Sequence, residues 1–158
     1  MKPQINLLKR TGASFSRKMI AVAFAATILT TSAFASGEEN KDKAIKNLKK
    51  EFSTAKDIQW KLTDNFIKAS FNWNDQQLEV FYNYDGEMIA KSRHVKPVNL
   101  PIDAQRTIAE KYKGYTFDET VEYNGAEGEH YFYTSMEKDN TKVLLQISPE
   151  GYVSVYQK

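Results

Sequence analysis

From residue 41 onward, apolar residues follow two rhythms in turn. Ala44, Ile45, Leu48 and Phe52 recur at helical spacing, with Lys46, Asn47, Lys49, Lys50 and Glu51 between them, which predicts a helix over residues 41–53. Runs rich in aromatic and β-branched residues follow at 58–62, 66–73, 78–84 and 87–95. Thr63-Asp64-Asn65 and Asn74-Asp75-Gln76 interrupt them, so they read as short strands. After the connection at 96–100, Pro101 opens a second helix that carries Ala104, Ile108 and Tyr112 inward and ends near Lys111, Lys113 and Gly114. Strands recur at 115–123, 129–136, 143–147 and 152–156. The pattern predicts an α+β fold of two tandem repeats, residues 36–95 and 96–158. Each repeat would be one helix followed by a four-stranded antiparallel meander, with the helices packed on one face of the sheet.

Two hairpins give the register. Tyr84-Asp85-Gly86 and Pro149-Glu150-Gly151 each suit a three-residue loop whose last residue is left-handed, a conformation that glycine adopts without strain. That loop sets Val80 opposite Ala90, Tyr82 opposite Met88 and Glu79 opposite Lys91 in the first hairpin. In the second it sets Leu145 opposite Val155 and Ile147 opposite Val153. Alternation then leaves one face for the helices. The other carries Phe66, Lys68, Phe81, Ile89, Lys91 and Arg93 from the first hairpin region and Tyr152 and Tyr156 from the second.

The first 35 residues read as an address. Lys2, Lys9, Arg10, Arg17 and Lys18 precede an apolar core at 19–29, and Ala33-Phe34-Ala35 gives the small-x-small pattern of a signal-peptidase site before Ser36. The core is too short for a retained membrane span. Cleavage would take five basic residues and no acidic one, so the formal charge of +2 becomes 17 basic against 20 acidic residues, or −3. A basic, nucleic-acid-binding protein is therefore not expected, and neither is membrane attachment after cleavage. The expected location is periplasmic or secreted. The chain has no cysteine, which excludes disulfides, thiolate metal sites and a lipid-modified N-terminal cysteine.

No constellation announces a reaction. His94 and His130 stand apart from any metal-binding spacing, no serine sits in a Gly-x-Ser-x-Gly elbow, and Asn124-Gly125-Ala126-Glu127-Gly128 lacks the lysine of a phosphate loop. No catalytic residue, metal ligand or cofactor is assigned. What remains is the sheet face opposite the helices. Its mixture of aromatic, aliphatic and cationic residues (Phe66, Lys68, Phe81, Ile89, Lys91, Arg93, Tyr152 and Tyr156) is what interface cores favour.

The order and spacing of six elements resemble the PepSY-like, β-lactamase-inhibitor-like exported proteins of Bacteroidetes-type bacteria. The elements are Glu51-Phe52 closing the first helix, Ile58-Gln59-Trp60, the aromatic strand 66–71, the Tyr84-Asp85-Gly86-Glu87 turn, Leu100-Pro101 opening the second helix and Lys111-Tyr112 closing it. The resemblance implies a non-enzymatic exported module, inhibitory or propeptide-like, that binds a protein or peptide of the cell envelope through an open sheet face. The competing readings are an envelope enzyme of unrecognised mechanism and an envelope protein that binds a small apolar or glycan ligand.

Overall fold

A computed structural model describes residues 37–157 of the chain. The segment read as a signal peptide, residues 1–35, lies outside the described residues, as do Ser36 and Lys158. The elements in chain order are α1 (Gly37–Glu51), β1 (Lys56–Leu62), β2 (Ile67–Trp73), β3 (Gln76–Tyr82) and β4 (Met88–His94). A 3-10 turn (Pro97–Asn99) leads to α2 (Ile102–Lys111), followed by β5 (Thr116–Gly125), β6 (His130–Lys138), β7 (Thr141–Ile147) and β8 (Val153–Gln157).

The two-repeat fold predicted from the sequence is not what forms. All eight strands belong to one antiparallel sheet in the order β1-β2-β3-β4-β5-β6-β7-β8, and the described residues are mostly β with two helices. The join is β4 to β5, paired from Ala90↔Gly125 to His94↔Val121 across the expected repeat boundary. Two separate meanders would each leave a strand edge with unpaired N–H and C=O groups at that point, and pairing the two edges removes both.

Residues paired directly across strands share a face, so the register assigns every side chain. Leu78 pairs with Arg93, Arg93 with Glu122, Glu122 with Phe132 and Phe132 with Ile147. The residues under α1 and those under α2 are therefore on the same face. Ala44 and Leu48 of α1 pack on Ile67, Ala69, Phe71, Leu78, Val80 and Tyr82. Ala104 and Ile108 of α2 pack on Phe132, Met136, Val143, Leu145 and Ile147. These are separate apolar clusters, since the strands between them put polar groups on this face. Arg93 Nε donates to Glu122 Oε2 at 2.6 Å, Arg93 Nη1 donates to Gln76 Oε1 at 3.1 Å, and His130 Nε2 lies 3.0 Å from Glu122 Oε1. The seam satisfies both oxygens of a carboxylate whose side chain is only 13% exposed.

The second hairpin has the predicted register, with Leu145 opposite Val155 and Ile147 opposite Val153. In the first hairpin the loop is as predicted and the strand beyond it is not. Tyr82 faces Met88, yet Phe81 faces Ala90, Val80 faces Lys91 and Glu79 faces Ser92, so Ile89 is the extra residue of a bulge. The carbonyl of Ile89 accepts the backbone N–H of Ala126 at 3.0 Å, a partner from the β5–β6 turn.

Candidate functional site

The bulge decides which side chains reach the sheet face that carries neither α1 nor α2, the helix-free face among the described residues. It sends Lys91 and Arg93 to the helix-bearing side, in register with Val80 and Leu78, which corrects their predicted place. In their stead Ala90, Ser92 and His94 join the helix-free face. Ile89 is half-buried at the bulge, and Tyr152 stands at the β7–β8 turn, 79% exposed. Of the eight predicted residues, Phe66, Lys68, Phe81 and Tyr156 remain on the face that was proposed to bind.

Three rows cross that face. Lys68, Phe81, Ala90 and Gly125 form one by direct opposition; Ser70, Glu79, Ser92, Tyr123 and Tyr131 form the next; Val121, Tyr133, Gln146 and Ser154, with His94 opposite Val121, form the third. Small residues on β4 and Gly125 thus make a low strip, the trough, along the middle of the sheet, with Ala90 and Ser92 buried to 2% and 4% exposure. One wall holds Phe66 and Phe81, packed edge to face at 5.4 Å and buried to 2% and 1% exposure. The other holds tyrosines: Tyr123 and Tyr131 lie 6.2 Å from Tyr133, and Tyr156 lies 5.3 Å from it. Gln146 Nε2 donates to the Tyr133 hydroxyl at 2.7 Å, which fixes that ring's azimuth.

Charged pairs lie along the trough. Lys68 Nζ donates to Glu79 Oε1 at 2.5 Å and Ser70 Oγ donates to the same oxygen at 3.2 Å. His94 Nδ1 lies 3.0 Å from Glu119 Oε1. That hydrogen bond holds the His94 imidazole pKa above its usual range; burial pulls the other way, the charges of Glu119 and Glu79 add to the rise, and Lys68 opposes it. A histidine raised on folding contributes its full stabilisation below the unfolded pKa and loses it as pH rises through the folded value. Raising the pH from about 6 to about 8 is therefore expected to weaken the fold slightly, and His94→Gln should remove that part of the profile. With the His94 side chain 42% exposed, solvent screening limits the difference to about 0.5 kcal/mol. Urea titrations of both proteins at the two pH values check it, and parallel pH profiles would rule the pair out as the titrating element.

Sequence reasoning missed Tyr123, Tyr131 and Tyr133 as members of the face. The alternation of Tyr131, Tyr133 and Ser135 was available, but placing β5 and β6 beside the first hairpin required the β4–β5 join. Among the described residues, no group of three or more His, Cys, Asp or Glu side chains gathers where a metal ion would sit, and no helix is long and apolar enough to cross a membrane.

No family model matches the chain, and no curated protein matches it. Solved structures do. A protein of Bacteroides eggerthii described as periplasmic superposes with a TM-score of 0.65 at 22% identity, covering 71% of this chain and 84% of that one. A DUF2874 family protein of Bacteroides uniformis gives 0.63 at 17% identity, over 77% of this chain and 86% of its own. A BLIP-like protein of Bacteroides fragilis gives 0.61 at 18% identity, over 74% of this chain and 86% of its own. At these identities the likeness is one of fold, and in fold the chain is similar to BLIP-like and DUF2874 proteins of Bacteroides, in agreement with the β-lactamase-inhibitor-like resemblance of its sequence.

Proposed function

We propose that this protein is a non-enzymatic binding protein of the periplasm or cell exterior that takes a protein or peptide partner on the helix-free face of its sheet. The observation that carries the reading is the tyrosine cluster of Tyr123, Tyr131, Tyr133 and Tyr156 beside the small side chains of β4, in which Tyr123 and Tyr133 are buried and Tyr131 and Tyr156 half-buried. Tyr131 and Tyr156 present large, stiff, amphipathic side chains at low entropic cost on a buried tyrosine support, and α1 and α2 pack on the opposite face. Lys68, Glu79 and His94 add charge at the trough for orienting a polar backbone or side chain. The leader-like N-terminal pattern and a fold shared with a periplasmic protein and a BLIP-like protein support the location and the binding role.

The test compares the two sides of the molecule. Tyr131→Glu and Leu144→Glu alter half-buried positions of the helix-free face, whereas Lys50→Glu and Ala109→Glu alter exposed helix positions. Capture of a partner from the organism's own envelope fraction is expected to weaken about 30-fold for the first pair, the equivalent of a hot-spot loss of about 2 kcal/mol, with no change for the second. Equal capture by all four variants, or loss confined to the helix variants, overturns the reading.

A further inference from the structure

The two edges of the sheet are built differently. Edge strand β1 carries exposed Lys56 and Lys61, a register irregularity between Lys56 and Gln59, and Asp57 at φ 55°, the devices by which natural sheets discourage further pairing. Strand β8 shares only the register irregularity, which falls at Tyr156, beyond the run Val153–Val155. From Tyr152 to Tyr156 it contains neither charge nor proline, it shows Val155 at 51% and Tyr152 at 79% exposure, and among the described residues no strand pairs with its outer side.

The sequence of this edge is a palindrome, Tyr152-Val153-Ser154-Val155-Tyr156. Backbone geometry is in phase with it. The Ser148 N–H donates to the Tyr152 carbonyl at 3.0 Å to close the hairpin. Alternation from that bond turns the polar backbone groups of Tyr152 and Ser154 toward β7 and those of Val153 and Val155 outward. We propose that β8 pairs antiparallel with β8 of a second copy of this chain, about a two-fold axis through Ser154 that stands perpendicular to the sheet. Each Val153 then faces the second copy's Val155 as a hydrogen-bonded pair. The two Ser154 residues face each other as a non-hydrogen-bonded pair, and each Tyr152 faces the second copy's Tyr156. Such an interface is self-complementary, as a two-fold dimer requires, and it removes the open edge. Helices of both copies end on one side of the doubled sheet and both helix-free faces on the other, so the binding faces lie side by side.

Cross-linking tests the register directly. In the full chain, Ser154→Cys introduces the sole thiol, and a non-hydrogen-bonded antiparallel pair sets the two Cα atoms about 4.5 Å apart, within disulfide range. Mild oxidation is expected to convert most of this variant into a covalent dimer, while Lys50→Cys, exposed on α1, which packs on β2 and β3, stays largely monomeric. In sedimentation equilibrium the parent protein should show twice the monomer mass at high concentration. Val155→Lys, at a half-exposed position of the edge, should weaken association about tenfold or more with an unchanged thermal midpoint. A parent that is monomeric throughout overturns the proposal and leaves the edge to a different extended polypeptide. A dimer that neither cross-links through residue 154 nor responds to Val155→Lys overturns it as well, by placing the contact elsewhere. Neither result bears on partner capture by the helix-free face, which is read by the Tyr131, Leu144, Lys50 and Ala109 variants.

Discussion

Phe81→Ala is expected to lower the unfolding free energy by about 3–5 kcal/mol, the usual loss for deleting a buried phenyl ring. The ring is 1% exposed and stands edge-on to Phe66 at 5.4 Å, so its removal leaves a cavity that Phe66, itself 2% exposed, would have to collapse into. Alternation alone assigned both rings to the face opposite α1 and α2, and from that assignment they were expected to contact a partner. The structure keeps them on that face and buries them, which makes them a support for the trough rather than its contact surface. Urea unfolding of parent and variant decides between the two roles. A loss below about 1 kcal/mol would show the rings to be solvent-facing and restore Phe81 to the binding surface.

What the sequence could reveal was local. Helix positions Ala44, Leu48, Ala104 and Ile108 all lie in the core, and both hairpin loops place their glycines at positive φ. The β7–β8 register follows from its loop because nothing perturbs that strand pair before the bulge opposite Leu144. The first hairpin obeys the same loop rule for only one pair. Its bulge at Ile89 is set by a carbonyl that bonds Ala126, a residue 37 positions along the chain, so no local propensity could report it. One extra residue moved Lys91 and Arg93 across the sheet. The β4–β5 join was hidden for a related reason: pairing of two meander edges is a long-range event with no turn signal of its own. Once formed, it determines the candidate site, since it brings Tyr123, Tyr131 and Tyr133 into line with Ser92 and His94. It also creates the Arg93–Glu122–His130 seam between the two apolar clusters, which neither half of the sequence contains.

Gly86→Ala is expected to cost about 3 kcal/mol, more than the left-handed conformation alone explains. Three glycines with nearly the same backbone separate the contributions: Gly86 at φ +82°, Gly151 at +93° and Gly128 at +92°. A residue with a Cβ pays about 1–2 kcal/mol for that conformation, and at Gly128, where an added Cβ meets nothing within 4 Å, that is the whole expected effect. At Gly151 the Cβ would lie 3.0 Å from Asp103 Cβ and 3.1 Å from the Ala104 nitrogen, so α2 must give slightly and the cost rises. At Gly86 it would lie 2.5 Å from Lys43 Cβ and 3.0 Å from the Lys43 carbonyl carbon. The second of these is helix backbone, and α1 can retreat only by loosening Ala44 and Leu48 from the sheet and by stretching the 2.7 Å bond from Asn47 Nδ2 to the Gly86 carbonyl. Overpacking of that kind adds about 1–3 kcal/mol to the conformational cost. The three alanine variants should therefore rank Gly86 above Gly151 above Gly128 in lost stability, measured by urea unfolding at one temperature and pH. Equal losses at all three positions would show that the turn conformation alone is costly, and that α1 does not rest on the β3–β4 turn tightly enough to hold that end of the sheet.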